Sequence, residues 1–315
     1  MKNNHVYYII LVAIMCYIFP DHTNAQNTLN LDIASGLSNT YVQDITQDID
    51  GCFWFATEEG VNRFDGTACI SPRTKDYLPL TKDDVNCILA SKDSTLIYIG
   101  TRSNGLYQYN YSNHTLVKFP IITLESINSK CKYGISSGSI TTLDWGEDNQ
   151  LWIGHYSSGV DCYNVKRDNF IHYNKTVLPA LKWESVWSLK QVGTKLFIGH
   201  SNEGLSSIDL KTNKVDHFFA QTNTIDQLAG NNVYCICSDL HGLLWCGTDQ
   251  GLSLFNPKNN TFKSFNFRHK NSNLDNNKIL NLKITENRVL YIGVEFKGIY
   301  TRLKQFSHEL QSIFR

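Results

Sequence analysis

The side chains best suited to hold a small molecule fall in short polar stretches between apolar runs. They are Arg102, Asn104, His155, Tyr156, Trp183, His200, Asp249 and Glu295. Together they offer flat rings beside amide, carboxylate, imidazole and guanidinium groups. That mixture suits sugars: the CH faces of a pyranose stack on rings, and planar polar groups bond its paired hydroxyls. Covalent chemistry is less well provided for. Glycoside hydrolysis needs two carboxylates at a set separation, and Glu58 with Glu295 is a pair whose distance the sequence does not give. The arginines Arg63, Arg73, Arg102, Arg167, Arg268, Arg288 and Arg302 do not recur at matching positions, so they form no evident clamp for a substrate carboxylate. Neither zinc-ligand spacing nor a Cys-x-x-Cys pair is present. We expect no metal, no cofactor and no catalytic residue.

A repeat positions these side chains. Its fullest copy carries Val233, Ile236, Asp239, Gly242, Trp245, Gly247, Gly251, Phe255 and Asn256. Five more copies start at Val42, Val85, Ile140, Val186 and Ile279. Their shared aromatic is Trp54, Tyr98, Trp152, Phe197, Trp245 and Tyr291, at spacings of 44, 54, 45, 48 and 46 residues. In each copy an apolar run reads as an inner strand A. The Asp-x-x-Gly that often follows reads as a turn, since Asp bonds its own backbone and Gly takes positive φ. The alternating stretch around the aromatic is strand B, with the ring wedged between neighbouring units. Strand C follows a second Gly, and a weaker strand D ends the unit. Four antiparallel strands per repeat of this length make a β-propeller blade. The fold class is therefore all-β: a six-bladed propeller, or a seven-bladed ring lacking a blade. Residues 29–33 are expected to supply the outer strand that closes the last blade and so protects its edge.

The segment Gly36, Leu37, Ser38, Asn39, Val42, Ile45, Asp48, Gly51, Trp54, Thr57, Gly60, Phe64, Asp65 and Gly66 resembles the opening of the two-component regulator propeller family. The resemblance implies the periplasmic sensing part of a hybrid two-component system, which recognises an oligosaccharide and passes the signal to a kinase. That family usually has seven blades, and the chain shows no kinase, so a fragment or truncated sensor is expected. The Asp48 and Asp239 turns also resemble those of sialidase propellers, where the motif is structural too. A propeller glycoside hydrolase or lyase and an exported interaction scaffold are the alternative readings. A homodimer would suit a sensor.

Charge and targeting agree with export. Basic and acidic residues number 29 each, and no basic stripe accompanies the aromatics, which argues against nucleic acid. Lys2, the apolar run 6–19 and Ala25 read as a secretory signal, making 1–25 a signal peptide, 26–303 the propeller and 304–315 a tail or strand stub. A periplasmic location is expected. Cys52, Cys87, Cys162, Cys235, Cys237 and Cys246 lie in or beside strands and read as free thiols, with one or two disulfides left open.

Overall fold

Each copy of the repeat folds as a small antiparallel sheet, in the order in which its strands occur. The computed structural model describes residues 31–72, 84–122, 133–221, 226–265, 278–285, 289–295 and 298–302. Blade one comprises β1 (Val42–Gln47), β2 (Phe53–Thr57), β3 (Gly60–Phe64) and β4 (Cys69–Ile70). Blade two comprises β5 (Val85–Ala90), β6 (Leu96–Thr101), β7 (Leu106–Asn110) and β8 (Thr115–Lys118). Blade three has β9 (Ile140–Trp145), β10 (Gln150–His155), β11 (Val160–Asn164) and β12 (Asn169–Tyr173). Blade four has β13 (Val186–Val192), β14 (Lys195–His200), β15 (Leu205–Asp209) and β16 (Val215–Phe218). Blade five has β17 (Val233–Ser238), β18 (Leu244–Thr248), β19 (Gly251–Asn256) and β20 (Thr261–Phe265). Blade six shows β21 (Ile279–Ile284), β22 (Leu290–Val294) and β23 (Gly298–Arg302), a three-stranded sheet among the described residues.

The turns obey the chemistry read from the sequence. Asp239 Oδ1 accepts the His241 and Leu243 amides, each at 2.9 Å, and Gly242 takes φ +79°. Asp48 Oδ1 does the same for Asp50 and Cys52, with Gly51 at φ +83°. Its other oxygen, Oδ2, accepts the Trp54 indole N–H at 2.8 Å and the Arg63 guanidinium at 3.1 Å, tying the turn to the aromatic wedge.

The core lies between blades rather than within them. Trp54 of blade one is buried with Val85, Ile88 and Ile99 of blade two. Tyr98 is buried with Ile140, Leu151 and Ile153 of blade three. Trp152 meets Val186, Leu189 and Leu196; Phe197 meets Val233 and Leu244; Trp245 meets Ile279, Leu282 and Leu290. A buried aromatic of this size removes about 200 Å² from water, roughly 5 kcal/mol of transfer free energy before entropy is counted.

Side chains of the inner strands stitch the same interfaces. The Ile88 and Ala90 amides donate to Asp44 Oδ2 and Thr46 Oγ1 at 2.9 and 3.1 Å. Asn86 Nδ2 donates to the Ile140 carbonyl at 2.8 Å, Thr141 Oγ1 to that of Val186 at 2.6 Å, and Ser188 Oγ to that of Val233 at 3.1 Å. Lys190 Nζ and Asp144 Oδ2 pair at 2.9 Å between blades four and three.

Two expectations change. Within the stretch expected to close the last blade, 31–33 form no strand: Asp32 and Ile33 open a turn in which their carbonyls accept the Ser35 and Gly36 amides at 3.1 Å. Leu31 and Leu37 instead pack on Phe55, Phe64 and Cys69 of blade one. Leu29 and Asn30, the signal segment and the tail 304–315 lie outside the described residues. The aromatic wedge, expected to be buried in every copy, is 40% exposed at Tyr291. Among the described residues, seven cysteines carry free thiols, and no helix is long and apolar enough to cross a membrane.

Candidate functional site

The inner strands share a local irregularity that turns out to aim side chains. In every blade the register of strand A against strand B slips by one residue near the start of strand A. The extra residues are Gln43, Asn86, Thr141, Trp187, Tyr234 and Leu280. A bulge of this kind re-aims its side chain out of the alternating pattern. Because strand A is the innermost strand, these six positions ring the axis where the D-to-A loops enter it. On blades four and five the ring becomes aromatic: Trp187 and Tyr234 stack with centroids 4.8 Å apart and planes 25° from parallel. Both are half-buried.

The B-to-C loops are tied to the same end. The residue after strand B donates its amide to the carbonyl just before strand A: Arg102 to Asp84 at 2.9 Å, Tyr156 to Ser139 at 3.1 Å, Asp249 to Asn232 at 3.2 Å and Glu295 to Lys278 at 2.9 Å. Arg102, Tyr156, Asp249 and Glu295 therefore hold one structural position on four blades, which places them on one face, as expected.

Around the aromatic pair this face is polar. Asn232 donates from its amide nitrogens to Asp249 Oδ1 and Oδ2 at 3.2 Å, and from Nδ2 to Asn202 Oδ1 at 3.0 Å. The Asn202 amide returns a bond to Asn232 Oδ1 at 2.9 Å. Lys278 Nζ lies 3.3 Å from Glu295 Oε2. Burial pushes the Tyr234 phenol above its usual range, Lys278 opposes the shift, and Asp249 and Glu295 add to it, so all three charges lie close to this ring. The result is a flat platform beside carboxamides, two carboxylates and an ammonium group, so one carboxylate is in excess.

Other expected residues have contacts of their own. Arg102 Nε is paired with Asp84 Oδ2 at 2.7 Å. Asn104 donates its amide to Thr101 Oγ1 at 2.9 Å within its own loop. Tyr156 is 59% exposed. Trp183 lies edge-on to His217 at 4.6 Å and Phe219 at 5.1 Å, at the outer strand of blade four, and 6.1 Å from His200 at the end of strand B.

His155 and His200 are corrections. They end strands β10 and β14 rather than occupying loops, and both are fully buried. His155 Nε2 lies 2.8 Å from Asp161 Oδ2, and His172 Nδ1 lies 2.7 Å from Asp161 Oδ1. Ser136 also donates to Asp161 through its amide and its hydroxyl, each at 2.6 Å. In blade four, His200 donates from Nδ1 to the Ser185 carbonyl at 2.8 Å, and its Nε2 lies 2.8 Å from the Ser206 hydroxyl, which His217 Nδ1 shares at 2.8 Å. Burial holds the His200 pKa down to about 4. The equivalent position in blade one is Thr57, bonded to Ser38 Oγ at 2.9 Å, with Ser38 bonded in turn to Asn62 Oδ1. The position is thus an internal brace joining strands B and C to the incoming loop. Imidazole is one of the groups that can fill it.

Trp187 and Tyr234 were not singled out from the sequence. Each is a variable residue between the apolar positions of strand A, and only the shared bulge reveals its direction. The signal was available in the two-residue gap between Val186 and Leu189, repeated between Val233 and Ile236, which is one residue too long for simple alternation.

Comparison with known proteins places this geometry. Residues 36–59 match the two component regulator propeller family. The chain is similar to the extracellular domain of the hybrid two-component system BT3049 of B. thetaiotaomicron, with 32% identity and a TM-score of 0.73 over 88% of this chain and 36% of that one. The extracellular domain of BT4673 from the same organism matches at 20% identity and a TM-score of 0.62, covering 85% of this chain and 36% of that one, a likeness of fold. Histidine kinase P4 of Formosa agariphila is 25% identical over 182 residues, 56% of this chain and 12% of the kinase. The chain thus spans about a third of the solved extracellular domains and an eighth of the curated kinase. The opening repeat is thus one of the two component regulator propeller family, and the chain is similar in sequence and fold to a part of the BT3049 extracellular domain.

Proposed function

We propose that this propeller is the ligand-sensing part of a periplasmic sensor and that it recognises an oligosaccharide. The observation that carries the reading is the Trp187–Tyr234 stack at the axial end, bordered by Asn202, Asn232, Asp249, Lys278 and Glu295. A pyranose laid on these rings leaves its equatorial hydroxyls facing the carboxamide and carboxylate groups. The paired donors and acceptors of Asn232 and Asp249 already satisfy each other, so the platform is organised before a ligand arrives and loses little conformational entropy on binding. The surplus carboxylate disfavours an anionic sugar. The resemblance to extracellular domains of hybrid two-component systems supports an exported location and a role in signalling rather than in bond cleavage.

The test is a thermal-shift screen of residues 26–315 against a panel of oligosaccharides, with each sugar recovered and run on a chromatogram. A ligand that binds only the native state raises the melting temperature by mass action. The reading expects a rise with one class of glycan, recovered intact. Cleavage of the sugar would make the protein a hydrolase or lyase. No rise with any glycan, from a chain that melts cooperatively, would leave the platform without its proposed ligand.

A further inference from the structure

The brace at the end of β14 is one hydrogen short. Two backbone carbonyls bound it: His200 Nδ1 lies 2.8 Å from that of Ser185, and His217 Nε2 lies 3.1 Å from that of Ala180. A carbonyl only accepts, so each of these nitrogens needs a hydrogen to bond it. Between the rings stands the Ser206 hydroxyl, 2.8 Å from His200 Nε2 and 2.8 Å from His217 Nδ1. The four contacts need four hydrogens, whereas two neutral imidazoles and one hydroxyl bring three. With both rings neutral, one ring nitrogen turns its lone pair on an oxygen that has no hydrogen to give. His200 is fully buried, as is Ser206, and there an unmet polar contact costs most.

Blade three holds the balanced version. His155 and His172 occupy the same places, and Asp161 stands where blade four has Ser206. The carboxylate accepts from both rings, at 2.8 and 2.7 Å, so one hydrogen on each ring is enough. The far nitrogens, His155 Nδ1 and His172 Nε2, face no carbonyl that would demand a second hydrogen.

One added proton completes blade four. His217 then donates from both nitrogens, to Ser206 Oγ and to Ala180, and the Ser206 hydroxyl donates to His200 Nε2. His217 is the better seat, because it is only half-buried and burial penalises charge. Burial still lowers its affinity for a proton, and Lys182 of the adjoining segment adds to that, while the Ala180 carbonyl and Asp216 work the other way. Asp216 is shared with Lys214 at 3.1 Å, and Glu184 of the same segment with Lys175 at 3.8 Å. His200 is disfavoured twice, by deeper burial and by repulsion from a charged His217.

We propose that His200, Ser206 and His217 form a single proton-binding site, seated on His217, that fastens the segment 180–185 to blade four as the medium turns acid. Both bounding carbonyls belong to that segment. It carries Trp183, whose ring meets His217 edge-on at 4.6 Å, and it runs directly into β13. The inference rests on hydrogen-bond geometry within blade four and is independent of the ligand at the axial platform.

Heteronuclear NMR of the imidazole rings of residues 26–315 tests the proposal, with His200→Asn and His217→Asn assigning the signals. As pH falls, His217 should gain its second ring hydrogen before His200 does. Ser206→Ala removes the acceptor of the new N–H and should lower the His217 midpoint by about one pH unit, and Ser206→Thr, which keeps the hydroxyl, should restore it. Trp183 emission, taken as the difference between the parent and Trp183→Phe, should fall with the same midpoint, since an imidazolium beside an indole quenches it. An unchanged His217 midpoint in Ser206→Ala would overturn the proposal. If that variant does not fold, the parent decides: His200 titrating first, or Trp183 emission that ignores the His217 midpoint, would overturn it as well.

Discussion

The boundary between blades one and two and the boundary facing blade six are made from the same repeat, yet only the first is a packed interface. Trp54 is fully buried against Val85 and Ile88, its indole N–H bonded to Asp48 and its outer edge shared with the Arg63 guanidinium. Tyr291, at the corresponding position, keeps much of its ring in water. A blade alone buries little, because its own strands form a single layer and its two faces need neighbours. Stability in this fold therefore resides in the boundaries, and each residue contributes according to whether a blade follows it.

The largest contrast should come from removing the wedge at each place. Trp54→Ala is expected to cost about 3–5 kcal/mol, as deletion of a buried aromatic does. Tyr291→Ala should cost less than about 1 kcal/mol, as surface changes do. Urea unfolding followed by far-UV circular dichroism measures both. Equal losses would mean that Tyr291 is buried in solution by something these contacts do not include.

Acid should act next, and on the packed half. His200 is buried with a pKa near 4, so the folded state resists its protonation while the unfolded chain takes up a proton near pH 6.5. Its contribution is complete above pH 6.5 and is lost as pH falls from there through 4, on the order of 3 kcal/mol in all. His200→Asn should flatten that part of the stability profile. An unchanged slope between pH 6.5 and 4 in the variant would show that His200 does not govern it. Blade three answers differently, because Asp161 stands between its two imidazoles. These hold the carboxylate well below its usual range even though burial opposes them.

The smallest effects test the strand-end glycines. Gly199→Ala pushes a methyl group against Val233 and should cost about 1–3 kcal/mol, the usual penalty for overpacking. Gly293→Ala makes only ordinary contact with Asn281, nearest at 3.5 Å, and should fall within about 0.5 kcal/mol of the parent. A matching loss at both positions would place a neighbour beside Gly293.

Much of this was legible in the repeat. The apolar starts at Val42, Val85, Ile140, Val186, Val233 and Ile279, and the Asp-x-x-Gly turns, announce strands and boundaries because they answer to local physics. The exposure of Tyr291 was not legible, since it depends on what lies beyond blade six and the residue itself matches its buried counterparts. The placement of the candidate residues was legible in part. Asp249 and Glu295 follow strand B at equivalent positions, and that alone puts them on one face. His155 and His200 were misread because a polar residue at a strand end looks the same in sequence whether it braces the blade or faces solvent. Trp187 and Tyr234 were hidden by the bulge, which only the strand register exposes.

The most direct test of the ligand platform is isothermal titration of residues 26–315 with the oligosaccharide found in the screen, repeated with Trp187→Ala and with Trp183→Ala. A central aromatic anchor is worth about 2 kcal/mol or more, roughly a 30-fold change in affinity. Trp187→Ala should weaken binding by at least that factor, and Trp183→Ala, whose ring lies over the outer strand of blade four, should bind nearly as the parent does. Full affinity in Trp187→Ala with loss in Trp183→Ala would move the site to the outer loops and contradict the axial platform.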